Sequence, residues 1–197
     1  MQGNIWVGTY YGGVNVFNPN KASNHFYYAE PLQEDCLSFP VVGKMTEDDR
    51  GKLWICTEGG GLNCYHPDSG IFARYQHRKG DITSVGSNNL KSIFYRKENG
   101  RLYVGTHFGG LFIFDTKSNK GHTLHHIKGD STSLPHEIVN DIQEYKGGLA
   151  LLTQGGPVFM DPVTEKFSPL SDDMNIRKLV SKKFAFETFL IDSRQRM

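Results

Sequence analysis

Short apolar runs recur along the chain at a nearly fixed interval, separated by glycine-rich polar stretches. The threonines that close the runs, Thr9, Thr57, Thr106 and Thr153, stand 48, 49 and 47 residues apart (57−9, 106−57, 153−106). The first two copies align almost residue for residue: Gly3-Asn4-Ile5-Trp6-Val7-Gly8-Thr9-Tyr10-Tyr11-Gly12-Gly13-Val14-Asn15-Val16-Phe17-Asn18-Pro19 lies on Gly51-Lys52-Leu53-Trp54-Ile55-Cys56-Thr57-Glu58-Gly59-Gly60-Gly61-Leu62-Asn63-Cys64-Tyr65-His66-Pro67. The third copy keeps Leu102-Tyr103-Val104-Gly105-Thr106 and Gly109-Gly110-Leu111, and the fourth keeps Leu151-Leu152-Thr153, Gly155-Gly156 and Asp161-Pro162.

Each copy reads as four short strands, A to D. Strand A is expected over 41–47, 90–96 and 137–143. A tight turn ending in Gly51, Gly100 or Gly147 leads into B, the run that carries Trp6, Trp54 or Tyr103. The Gly-Gly pair predicts a B–C hairpin, since glycine takes positive φ without a steric penalty. Asn18-Pro19, His66-Pro67 and Asp161-Pro162 open the C–D turn, where proline fixes φ and an Asx side chain bonds the backbone. Strand D carries Phe26, Phe72 or Phe167. No segment sustains a 3.6-residue period, so helix is expected to be scarce.

Four-stranded units repeating every roughly 40–50 residues are blades of a β-propeller. The predicted fold is all-β, with four-stranded antiparallel blades and about four blades over 1–197, the B–C–D units starting near residues 3, 51, 100 and 147. Strand B is continuously apolar because neighbouring blades cover both its faces. Residues 184–197 align with 40–53, so a C-terminal strand A is predicted over 184–192. The chain reads as an arc or fragment of a larger ring, or as a ring closed by pairing that strand with the N-terminal blade. Unpaired edge strands at both ends would otherwise invite association.

Composition narrows the function classes. The 197 residues carry 22 Lys+Arg against 21 Asp+Glu, a net charge of +1. That balance argues against a nucleic-acid partner, which would need clustered cations. Uninterrupted apolar stretches such as 149–152 fall far short of the roughly 20 residues of a spanning helix, so no membrane contact is expected from this segment itself. The N-terminus shows neither the basic nor the apolar region of an export signal; the chain can still be a piece of a longer exported protein. Cys36, Cys56 and Cys64 form no Cys-x-x-Cys pair, leaving small buried residues or one Cys56–Cys64 cross-strand pair.

No catalytic constellation, cofactor motif or metal site is read. His122 and His126 share a strand face but lie about 13 Å apart, too far to chelate one ion. Gly59-Gly60-Gly61 opens no helix and lacks the Lys-Ser/Thr of a phosphate loop. Asp48-Asp49 and Asp172-Asp173 fall in turns, where aspartate is common for its backbone bonds. Asp49-x-Gly51-x-x-Trp54 is similar to the Asp box of sialidase propellers, with Glu47 where that motif has serine.

The second copy carries nearly all of Asp-x-x-Gly-x-Leu-Trp-Ile-x-Thr-x-x-Gly-Gly-Leu-Asn-x-Tyr-x-Pro, followed by Phe72 and Tyr75. With Lys79-Gly80-Asp81-Ile82-Thr83-Ser84-Val85 and Lys128-Gly129-Asp130-Ser131-Thr132-Ser133-Leu134 before strand A, it resembles the two-component regulator propeller repeat. The resemblance spans essentially the whole chain and weakens in the fourth copy. It implies a periplasmic sensor part of a hybrid two-component system, as in gut Bacteroides-like bacteria. The sensed ligand would be an oligosaccharide, and the signal would pass to a histidine kinase absent from this chain. Such receptors are typically dimeric, so a second copy is an implied partner.

In a propeller the B–C and D–A loops share one face. Between the repeated Thr and Gly-Gly the residues vary: Tyr10-Tyr11, Glu58-Gly59, His107-Phe108 and Gln154. Variable tips in an invariant frame read as loops freed from packing. Their aromatic and polar side chains suit sugars, whose ring faces stack and whose hydroxyls need polar partners. Asn88, Asn89 and His136 are expected to join them from the D–A loops. Two other readings stay open: a protein-interaction propeller, and a propeller lyase or hydrolase.

Overall fold

The computed structural model describes residues 3–21, 23–30, 33, 35–170, 188–192 and 194. Among them there is no helix; fifteen strands make four separate antiparallel sheets. The first holds β1 (Ile5–Gly8), β2 (Val14–Asn18) and β3 (Ser23–Tyr27). The second holds β4 (Val42–Glu47), β5 (Leu53–Thr57), β6 (Gly61–His66) and β7 (Ile71–Tyr75). The third holds β8 (Leu90–Arg96), β9 (Arg101–Thr106), β10 (Leu111–Asp115) and β11 (Lys120–Leu124). The fourth holds β12 (Val139–Tyr145), β13 (Gly148–Thr153), β14 (Gly156–Met160) and β15 (Phe167–Pro169).

Within each sheet the strands follow chain order, and successive sheets meet mainly through their first strands, β4 on β8 and β8 on β12. Sheets that converge on their first strands and fan outward are propeller blades. Three cores lie between the blades. Val14 and Val16 of the first pack on Leu53, Ile55 and Tyr65 of the second. Trp54, Cys56 and Cys64 meet Leu102, Val104 and Phe114 of the third. Tyr103 and Ile113 meet Leu149, Leu151 and Met160 of the fourth. Leu53 and Trp54 thus serve opposite interfaces, which is why strand B has no polar face.

The repeated threonine has a specific task. Thr57 Oγ1 donates to Gly61 O at 2.8 Å and accepts the Gly60 N–H at 3.2 Å, tying the hairpin across its base. Thr106 does the same with Gly110 and Gly109, and Thr153 with Gly156 and Gly155. Thr9 Oγ1 donates to Gly13 O. A hydroxyl supplies both donor and acceptor at these buried positions, which explains Thr over Val.

Asp48 does more than occupy a turn. Its Oδ1 accepts the Arg50 and Lys52 N–H groups, while Oδ2 accepts the Trp54 indole N–H at 2.9 Å; the residue is 6% exposed. One carboxylate therefore closes the A–B turn and satisfies the core tryptophan.

Strand A of the fourth blade starts at Val139 rather than near 137, because the Glu137 carbonyl accepts the Gly110 N–H of the third blade's hairpin. The expected C-terminal strand A over 184–192 is not found in its described part. Residues 188–192 form no strand; Thr188 and the Phe189 N–H bond the Asp141 carboxylate, and Phe189 O and the Ile191 N–H bond the Gln143 side chain. Side-chain anchoring on β12 replaces a backbone ladder, and among the described residues β1 pairs with β2 alone, in a three-stranded sheet. Residues 184–187 lie outside the described residues. Buried Asp141 also pairs with Lys44, linking the first strands of the second and fourth blades.

The three cysteines are free thiols. Cys56 lies opposite Leu62 and Cys64 opposite Trp54, so the pairing left open between them is not made. Burial pushes the Cys64 thiol up to about 12 and Cys56 higher still. The histidines are used structurally: His122 Nε2 bonds Glu165, His125 Nδ1 bonds Glu137, and His126 Nδ1 faces Leu134 O, beyond the end of β11.

Candidate functional site: a row of hairpin tips

Each B–C hairpin leans on a D–A connection by backbone hydrogen bonds, that of the next blade in the first and second hairpins and that of its own blade in the contacts of His107 and Gln154. The Gly13 N–H donates to Pro40 O and the Val42 N–H to Thr9 O, both at 3.1 Å. The Gly59 and Gly61 N–H groups both donate to Asn88 O, at 3.0 and 2.9 Å. The His107 N–H reaches Asn89 O at 2.8 Å, and the Gln154 N–H reaches Ile138 O at 3.1 Å. The hairpin tips and D–A loops therefore form one continuous face.

Two tips hold aromatic side chains in the left-handed region: Tyr11 at φ 72° and Phe108 at φ 66°. At the same repeat position the second blade has Gly59, at φ 137°. A bulky residue there is strained by about 1–2 kcal/mol and persists only where its surroundings or its use demand it. Neither side chain is buried in compensation, each being 68% exposed. Tyr11 stands edge-on to Tyr10, with ring centroids 4.6 Å apart, and Phe108 edge-on to His107 at 4.4 Å. Phe39, from the loop before β4, lies against Gly59 so closely that a Cβ there would be 2.8 Å from its ring. A glycine is required at that tip because an aromatic from the neighbouring loop already covers it.

The first tip also meets charge. Glu58 pairs with Lys91 at 3.2 Å, and both act electrostatically on Tyr10. The Tyr11 side chain, as hydrogen-bond partner and neighbour, raises the Tyr10 phenol above its ordinary range, with Glu58 adding to the effect. Tyr10 and Tyr11 thus form an aromatic pair within electrostatic reach of the Glu58–Lys91 ion pair. This can stack on an apolar ring face while donating to and accepting from hydroxyls.

The remaining expected residues are placed as follows. Asn88 lies beneath the second tip, its Oδ1 taken by the His77 N–H at 2.7 Å. Asn89 is exposed between the second and third tips, bridged to Glu58. His107 buries an Nδ1 with no partner among the described residues. His136, whose Nδ1 accepts the Ile138 N–H, and exposed Gln154 lie in the fourth blade, away from Tyr10 and Tyr11. Lys91 and Phe39 were missed: Lys91 is an ordinary lysine of strand A, and Phe39 falls where the repeat pattern is silent. Among the described residues no three His, Cys, Asp or Glu stand close enough to hold a metal, and no helix is long and apolar enough to cross a membrane.

Comparison with known proteins gives the fold. No model of a known protein family matches the chain, and no curated protein matches it by sequence. The extracellular domain of the hybrid two-component system BT3049 from B. thetaiotaomicron superimposes with a TM-score of 0.71 at 24% identity, over 87% of this chain and 22% of that one. The extracellular domain of the hybrid two-component system BT4673, from the same organism, gives 0.71 at 20% identity, over 98% of this chain and 26% of that one. Virginiamycin B lyase from Staphylococcus aureus gives 0.62 at 11% identity, over 87% of this chain and 53% of that one. The chain therefore spans about a quarter of the length of the two extracellular domains and shares their fold.

Proposed function

We propose that this chain is a segment of an extracytoplasmic, ligand-sensing propeller of a hybrid two-component system. In this reading it lies in the periplasm, binds an oligosaccharide along the row of hairpin tips and passes the signal to a histidine kinase outside this chain. A second copy of the receptor is its expected partner, and the segment itself catalyses nothing. The shared fold with extracellular domains of two-component systems supports the sensor role. The observation that carries the ligand reading is the pair of exposed aromatic residues, Tyr11 and Phe108, held in a strained conformation at repeat-equivalent tips. Packing does not require them, since the second blade closes with glycine at the same position.

The face of the first blade turned away from the second exposes Ile5, Val7, Phe17, Phe26 and Tyr28, each 41–58% accessible. Ile5, Val7 and Phe17 stand where the second blade has Leu53, Ile55 and Tyr65, which pack on the blade before it, so in this reading the face takes a further blade or a second copy.

A thermal-shift screen of the purified chain against an oligosaccharide panel tests the sensor reading. A ligand at 100 times its Kd adds about 2.7 kcal/mol, or roughly 5–10 °C for a domain of this size. The expected result is a shift confined to one glycan class and lost in Phe108→Ala and Tyr10→Ala. A cooperative melt unmoved by every glycan overturns the reading for this segment and leaves the interaction propeller.

A further inference from the structure

The D–A connections of the second, third and fourth blades are built alike. Glu30, Arg78 and Ile127 give their N–H groups to Cys36 Sγ, Ser84 Oγ and Ser133 Oγ, each the residue before a buried Leu37, Val85 or Leu134. The same side chains donate back to Gln33 O, Asp81 O and Asp130 O. The connection is a preformed loop in all three blades, and the difference lies in how strand D of the blade meets it.

In the second and fourth blades the two are joined. The Phe72 N–H donates to Asp35 O at 3.1 Å and the Phe167 N–H to Thr132 O at 2.9 Å. Gly121 stands opposite Phe114 as Phe72 stands opposite Tyr65, and it makes no such bond to Thr83 O among the described residues. Two residues further, the second blade has Arg74. Its guanidinium spans from β7 to the loop, Nε donating to Cys36 O at 2.9 Å and Nη2 to Gln33 O and Leu37 O. The third blade has Thr123 there, too short to reach across, and a pocket of about 330 Å³ opens between β11 and the loop. Thr123, Asp81 and Ser84, the counterparts of Arg74, Gln33 and Cys36, line it with His77, Arg78 and His125.

Most of the acceptors that hold Arg74 persist in this pocket. Ser84 O, the counterpart of Cys36 O, takes no hydrogen bond among the described residues. Asp81 O takes the Ser84 hydroxyl, as Gln33 O takes the Cys36 thiol while also holding Arg74. Val85 O is already met by His77 Nδ1 at 2.8 Å. Asp81 adds a carboxylate where the second blade has the uncharged Gln33, and its partner Arg78 is a rim side chain, 73% exposed.

We propose that this pocket is a ligand site for a guanidinium group, carried by an arginine side chain of a peptide or by a small free guanidine. The planar fork donates to Ser84 O and Asp81 O as Arg74 does to Cys36 O and Gln33 O, and the Asp81 carboxylate supplies the opposite charge. The volume sits at the low end of ligand pockets, roughly 300–1,000 Å³, which suits one side chain. The assignment does not depend on the proposed sensor role, and the site lies on the outer strand of the third blade, apart from Tyr10 and Tyr11.

Backbone amide resonances of the ¹⁵N-labelled chain report this site directly. N-acetyl-arginine amide is expected to move the Gly121, Thr123 and Ser84 signals saturably and to leave Phe72 and Phe167, at the closed counterparts, in place. N-acetyl-lysine amide should bind about tenfold more weakly, because a point charge forfeits one hydrogen bond of the fork. Thr123→Arg should fill the pocket from within, abolish the response and raise the Tm by about 2–4 °C, the worth of one net hydrogen bond. Thr123→Leu, which plugs the pocket without a guanidinium, should abolish the response as well. Methylguanidinium binding as tightly as the arginine amide marks a small guanidine as the ligand, and a clear preference for the amide marks a peptide side chain. Unmoved Gly121 and Ser84 signals overturn the proposal. So does equal affinity for the lysine amide, which would mean a cation contact only, or a response that survives in either Thr123 variant.

Discussion

The first and second blades carry the same B–C repeat pattern, yet they finish differently at both ends. At the A–B end, the two tryptophans meet equivalent rings, Tyr75 and Phe114 on Trp54 and Tyr27 and Tyr65 on Trp6, yet Trp54 is 1% exposed while Trp6 is only partly buried, beside a pocket. At the hairpin end, Gly59 lies under Phe39, while Tyr11 projects from the surface in a left-handed conformation. Two pairs of positions differ where the blades do: Ala73 against His25, and Gly59 against Tyr11. The repeat supplies the frame, and departures from it create the surfaces that can bind. Departures within a repeat are therefore more informative about function than the repeat itself.

The largest expected break in this comparison comes from the tryptophans. Trp54→Ala removes a fully buried indole and should cost about 3–5 kcal/mol. Trp6→Ala should cost about half as much, because the ring is already partly in water. The two losses should also differ in kind. Blades interact only with their neighbours, so stability is close to a sum of blade and interface terms. Hydrogen exchange should show Trp6→Ala loosening β1–β3 alone, whereas Trp54→Ala, at an inner interface, should destabilise the blades on both sides. Equal exchange in every blade after Trp6→Ala would show that the first interface is as sealed as the second.

A smaller effect isolates the carboxylate. Asp48→Ala leaves the Trp54 indole N–H buried without an acceptor and frees two turn N–H groups. The expected cost is about 1–3 kcal/mol, or roughly 2–10 °C in Tm, with a Trp54 indole resonance that now exchanges with solvent. An unchanged Tm would mean that the turn holds itself and that packing alone seats Trp54.

The blades were legible in the sequence because their determinants are local and repeated. The Thr interval, the Gly-Gly pair and the continuous apolar strand B each reflect a constraint that every copy must meet: a clamped hairpin, positive φ and burial on both faces. The hairpin tips were legible for the opposite reason, as variable positions inside that frame. The Lys91–Glu58 pair and the seat of Phe39 on Gly59 were not, since each joins residues from different blades whose contact depends on the stagger between sheets. Asp48 read only as a turn residue, because its bond to Trp54 needs the indole's orientation. The strand predicted over 184–192 failed in its described part for a similar reason. Similarity to 40–53 carried the pattern of strand A, but Asp141 and Gln143 offered its backbone side-chain partners instead of a ladder.

The finest test converts one blade's tip into the other's. Tyr11→Gly gives the first hairpin the residue that the second has at Gly59, at a position where φ is 72°. Release of the left-handed strain should stabilise the chain by about 0.5 kcal/mol, since a non-glycine residue in that region costs about 1–2 kcal/mol and the exposed edge-on contact with Tyr10 returns about 0.5–1.5. In a melt this is a rise of about 1–2 °C. The same variant should lose much of the response to any glycan bound at the tip row, because the ring that stacks is gone. Stability gained while binding is lost marks a residue kept for use rather than for folding. A fall in Tm instead would show that Tyr11 makes contacts worth more than its strain. The aromatic tip would then be structural, and the contrast between the two blades would lie in packing at both ends.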